Sequence, residues 1–86
     1  MKDFLGRDIC DGDWFVQART QGRSSVGLHH YLIVESRPKS LKVIGKHWKG
    51  AQLKTLYAGA NGMVIDPADV PAKIQKEFYD YYATLG

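Results

Sequence analysis

Arg19, Arg23, Arg37, Lys39, Lys42, Lys46, Lys49 and Lys54 crowd into the middle of an 86-residue chain, against the single acid Glu35. Residues 19–54 therefore carry a balance of +7, residues 1–18 one of −2 and residues 55–86 one of −2, for a net charge of +3. Such an asymmetry points to an anionic partner. Cations of this kind neutralise phosphates and release their counterions, which makes binding weaken as salt is added. Trp48 stands among them, in Lys46-His47-Trp48-Lys49-Gly50. An aromatic ring in that setting can stack a nucleic-acid base for about 1–3 kcal/mol. Two bland readings compete. The lysines can form a solvated strand face that guards an edge against aggregation, and Trp48 can be a plug folded over the core.

The remaining reactive residue types form no recognisable machinery. Ser, His and Asp all occur, but no nucleophile elbow, phosphate loop or zinc-binding helix is present. His29 and His30 are neighbours on a candidate strand, so they point to opposite faces and cannot easily share one ion. Asp8, Asp11 and Asp13 do not follow the spacing of a calcium loop and suit turn capping instead. Cys10 is alone, which excludes an internal disulfide and a multi-cysteine zinc site, and makes a small inert side chain the default. No catalytic residue, metal or cofactor is expected. Tyr57, Tyr79, Tyr81 and Tyr82 make the second half rich in aromatics. A helix stripe cannot bury all of its tyrosines, so one or two of Tyr79, Tyr81 and Tyr82 should remain exposed as an interaction patch or as amphipathic tips.

Length and composition bound what can carry these groups. Eighty-six residues make one domain with a small core. An apolar fraction of 44% is ordinary for a folded protein. No apolar run is long enough to cross a membrane as a helix. Met1-Lys2-Asp3-Phe4-Leu5-Gly6-Arg7 has no secretory apolar region, so a cytoplasmic location is expected.

Strand patterns dominate the first two thirds. Asp11-Gly12-Asp13 is a turn, and Trp14, Val16 and Ala18 alternate with Phe15, Gln17 and Arg19 after it. Trp14 reads as core. Residues 20–27, with two glycines and two serines, read as a loop. Residues 28–35 are apolar on both faces, which suits a central strand. Arg37-Pro38-Lys39-Ser40 is a turn into a third strand over 41–46, forming a hairpin with the second. Residues 47–52 break the pattern, residues 53–57 can be a fourth strand, and Asn61-Gly62 is a hairpin signal before a short strand at 63–65. Val70, Ile74, Phe78, Tyr81 or Tyr82, and Leu85 then recur at helical spacing over 69–85, with Asp66 or Asp69 as cap and Pro71 in the first turn.

Five short strands with tight turns suggest a small barrel. Ile9-Cys10-Asp11-Gly12-Asp13-Trp14-Phe15-Val16 resembles the opening of SH3-like and KOW-type barrels, and residues 27–34 and 41–43 are similar to their second and third strands. Trp48-Lys49-Gly50 and Met63-Val64-Ile65-Asp66 resemble small barrel proteins of T-even-type bacteriophages. Gln21-Gly22-Arg23-Ser24-Ser25 stands where KOW domains carry a glycine-rich loop.

The expected fold is mainly β (α+β): a small SH3-like barrel of about five strands over 8–67, closed by one amphipathic helix over 69–85. The expected function is non-enzymatic binding of DNA or RNA through the eight basic residues and Trp48. The alternative is a phage-type module that binds a host protein, in the host cytoplasm, through Trp48, Tyr79 and Tyr82. No membrane partner is expected.

Overall fold

Alternation of large apolar residues along the chain drives five strands into one antiparallel sheet. The computed structural model describes residues 2–21, 25–47, 50–57 and 62–85, and at 19–21, 25–26 and 47 it describes the backbone only. The strands are β1 (Trp14–Gln21), β2 (Ser25–Ser36), β3 (Leu41–His47), β4 (Gly50–Leu56) and β5 (Gly62–Ile65). A 3-10 turn (Pro67–Asp69) leads to α1 (Ala72–Leu85). The order across the sheet is β4-β3-β2-β1-β5. The expected class, mainly β with about five strands in a small barrel and one C-terminal helix, is the one observed.

β2 is apolar on both faces because a separate core lies on each. On one face Ile9, Phe15, Tyr31, Ile33, Leu41 and Val43 pack together. Leu56 from β4 and Val64 from β5 join that same cluster. Those strands are the two edges of the sheet, so the sheet curls until its edges share one interior, as in a small barrel. On the other face a straight row of Ile65, Trp14, Leu32, Ile44 and Leu53 runs across all five strands. This row is the floor on which α1 lies, through Val70, Ile74, Phe78 and Tyr81.

Several boundaries depart from the sequence reading. β1 and β2 extend through most of the expected loop at 20–27, since Gln21 still pairs with Ser25. β4 starts at Gly50, inside the expected break. Asn61 and the expected turn at 58–61 lie outside the described residues, but β5 does not pair with β4 as a hairpin there would require. Instead β5 pairs with β1 at the far edge, with Met63 opposite Val16 and Ile65 opposite Trp14. Gly62 is needed there for room: a Cβ would sit 2.6 Å from the Val16 carbonyl oxygen. The helix begins at Ala72 rather than at 69, and Asp66 caps the 3-10 turn, accepting from the Ala68 N–H at 2.9 Å.

Turn chemistry at the entry to β1 follows the sequence. Gly12 has φ 87°, a conformation that glycine takes without strain. Its N–H donates to the Ile33 carbonyl at 2.7 Å, and Asp13 Oδ2 accepts from the Cys10 N–H at 2.8 Å. Asp11 Oδ1 accepts from the Ser36 N–H at 2.7 Å, tying this turn to the far end of β2. The thiol of Cys10 is exposed.

Candidate interaction surfaces around the C-terminal helix

The position of α1 is set by an aromatic clamp and one ion pair. Trp14 is buried, stacked on Phe78 with ring centroids 5.5 Å apart at 18°, and meets Tyr79 edge-on at 5.6 Å and 86°. Its indole N–H donates to Tyr79 Oη at 2.9 Å. Lys46 Nζ on β3 meets Glu77 Oε2 at 2.8 Å on the same side. At the helix entry the Gln75 amide donates to the carbonyls of Pro67 and Val70, binding the 3-10 turn to the first helical turn.

Of the three helix tyrosines among which one or two are expected to be exposed, Tyr79 and Tyr82 are 46% and 49% exposed and Tyr81 is half-buried, but the roles of the exposed two differ. Tyr79 spends its hydroxyl on Trp14 and belongs to the helix seat. Tyr82 stands between two clefts. One, of about 420 Å³, is lined by Val34, Lys42, Leu53, Tyr82 and Leu85. The other, of about 340 Å³, is lined by Asp11, Leu32, Val34, Tyr79 and Tyr82. Leu85, assigned to the packing stripe by spacing, is instead 45% exposed at the helix end, and Tyr81 takes the last core position.

The described basic residues of the central block do not share one face. Lys42 and Lys46 lie on the helix face of β3, as their alternation with the buried Ile44 requires. Lys54 pairs with Val43 and lies on the opposite face, beside Gly45 and Tyr31. Arg37 and Lys39 are exposed in the β2–β3 turn. Arg37 Nη2 meets Glu35 Oε2 at 3.0 Å, and that hydrogen bond and charge lower the Glu35 pKa and raise that of Arg37. Lys42 pairs with Glu35 across a bulge between Ile33 and Glu35, whereas Val34 joins the helix-side cluster as its alternation with Leu32 requires. Arg19 has its backbone on β1 opposite Gly27. The Arg19 side chain, Arg23, Trp48 and Lys49 lie outside the described residues.

Two features escaped the sequence reading. Asp3 is buried, and its carboxylate accepts from the N–H groups of Leu5, Arg7 and Val64 and from Arg7 Nε. A short acidic side chain shortly before a glycine, as in Asp3-Phe4-Leu5-Gly6, is the usual sign of such a turn. Leu28 is 67% exposed although it alternates with the half-buried His30 and the buried Leu32. It lies beside the first half of α1, next to Lys73, Ile74 and Glu77, on sheet surface that the helix leaves uncovered, which no local pattern records. Among the described residues, no group of three His, Cys, Asp or Glu side chains converges as a metal site would need. Among them, too, no helix is long and apolar enough to cross a membrane. Comparison with protein-family models, with curated proteins and with solved structures finds no match to this chain.

Proposed function

We propose that this chain is a protein-interaction module that docks an acidic protein partner on the surface around Tyr82. The observation that carries this reading is the pair of clefts meeting at Tyr82, with Leu85 exposed beside them. Interface cores favour tyrosine held at low entropic cost over an apolar floor, and Val34, Leu53 and Leu85 supply that floor. Lys42 at the rim and the net charge of +3 favour a partner of opposite sign. The immobilised protein should retain a discrete acidic protein from a nuclease-treated lysate of its source cells. Tyr82→Ala should reduce that retention at least about tenfold, the effect of a central aromatic anchor. Equal retention by wild type and variant rejects Tyr82 as the docking point.

A nucleic-acid partner is the second reading. It is favoured by Arg37, Lys39 and Lys42, which gather where β2 turns into β3.

A further inference from the structure

The helix leaves part of its own sheet face bare. Next to the covered row of Trp14 and Leu32 runs a second row on the same face, Met63 opposite Val16 and Val16 opposite His30. Lys46 continues it on β3, since Lys46 and His30 line one cleft. Ala18 and Leu28 pair just beyond. The β5 end of this strip is apolar: Phe4, Val16, Ala18, Leu28 and Met63 surround a depression of about 150 Å³. The β3 end is charged: a cleft of about 350 Å³ is lined by His29, His30, Lys46, Lys73 and Glu77, together with Leu28, Ile74 and Phe78. Leu28 lines both hollows, so they lie side by side and one ligand can span them as a groove.

We infer that this groove binds an extended peptide segment that places a large apolar side chain at the Leu28–Met63 end and a carboxylate at the Lys46–Lys73 end. The charge balance selects the sign. Glu77 is the one acid among the described residues of the charged cleft and is engaged by Lys46, whereas Lys73 makes no ion pair with a described residue. A carboxylate there meets two ammonium groups and two histidines against one paired acid. The apolar end explains a contiguous exposed cluster that a monomer seldom presents without a partner: Phe4, Leu28 and Met63 are 73%, 67% and 41% exposed.

The spacing follows from sheet geometry. β5 and β3 are separated by β1 and β2, three inter-strand steps of about 4.8 Å, or about 14 Å. An extended chain rising about 3.3 Å per residue covers that distance in about four residues, and residues four apart lie on the same side of it. The segment recognised therefore carries its acidic residue about four positions from its apolar one. The site is separate from the Tyr82 surface, which lies at the other end of α1.

A fluorescent synthetic peptide with leucine and glutamate four residues apart, in a serine-glycine background, tests this by anisotropy titration. Saturable binding to the wild-type protein is expected in the micromolar range. Leu28→Asp and Lys73→Glu, both at exposed positions, should each weaken it about tenfold. Tyr82→Ala should leave it unchanged, which separates this groove from the proposed partner surface. A peptide with glutamine in place of glutamate, or with the two residues three apart, should bind more weakly than the parent. No saturation with the wild-type protein, or equal binding by wild type and Lys73→Glu, overturns the proposal.

Discussion

The Asp3 carboxylate accepts four hydrogen bonds, three from backbone N–H groups and one from Arg7 Nε. Two of the donors, Val64 and Arg7, belong to β5 and to the segment that runs along it. Arg7 Nη2 donates to the Val64 carbonyl at 2.5 Å and the Phe4 N–H to the Gly62 carbonyl at 2.7 Å, so residues 3–7 cover the outer edge of β5. Burial opposes ionisation of Asp3. The hydrogen bonds from Val64 and Arg7, the Arg7 charge and the Leu5 N–H outweigh it, so the pKa lies below the ordinary aspartate value. The unfolded chain then binds the proton more readily than the native one. The stabilisation is complete above the unfolded pKa of about 3.9 and is lost as the pH falls through the lower native value. Asp3→Asn should cost about 1–3 kcal/mol at neutral pH, since it removes a charge-assisted acceptor from buried donors. Urea titrations from pH 5 downward should show a falling midpoint for the wild-type protein and a flatter profile for Asp3→Asn. Identical profiles would show that Asp3 does not carry the acid dependence. Asp3 stands three residues before a glycine, which is a turn signal at most. Its distant donor, Val64, depends on β5 reaching β1, which no local signal encodes.

At the scale of elements, what was legible depended on how local the determining interactions are. The β2–β3 hairpin and the 3.6-residue stripe of α1 are local, and both form as their patterns require. The glycines and serines of residues 20–27 are weak local breakers, overridden by a ladder in which Thr20 pairs with Val26 and Arg19 with Gly27. Asn61-Gly62 pointed to a local hairpin, but the apolar Met63-Val64-Ile65 finds its partner on β1, where Val64 reaches the barrel interior and Ile65 the floor under the helix. The end of α1 was equally hidden. Both Tyr81 and Tyr82 fit the stripe, and only the position of the helix over Trp14 and Leu53 decides that Tyr81 packs and Tyr82 projects. The helix is held far more by its apolar face than by its charges. Phe78 is fully buried against Trp14, and Phe78→Ala should destabilise the protein by about 3–5 kcal/mol. The Lys46–Glu77 pair is 56% and 28% exposed at its two side chains, and Lys46→Ala should cost no more than about 1 kcal/mol. Urea denaturation of the two variants checks the ranking. A larger loss for Lys46→Ala would mean that the ion pair, not the aromatic stack, seats the helix.

At the scale of the whole molecule, a charge count along the chain and a charge pattern in space are different quantities. The balance of +7 over residues 19–54 is divided by the alternation of β3 and β4. Lys42 and Lys46 face the helix, and Lys54, one strand over, faces the other way. A rigid duplex resting on one face of the sheet leaves the cations of the other face in solvent, where they add little beyond a Debye length of about 8 Å at physiological salt. Of the described cations of that block, Arg37, Lys39 and Lys42 lie in or beside the β2–β3 turn, and Glu35 there already holds Arg37. Duplex binding measured by anisotropy should therefore be weak at physiological salt and appear mainly at low salt. It should lose affinity on Lys42→Glu and keep it on Lys54→Glu. Each phosphate that a cation neutralises adds about 0.9 to the steepness of log affinity against log salt, so the plot should flatten by about one for Lys42→Glu alone. Equal losses of affinity for both variants would mean that nucleic acid wraps both faces. Together with tight binding at physiological salt, that result would displace the protein partner in favour of DNA or RNA.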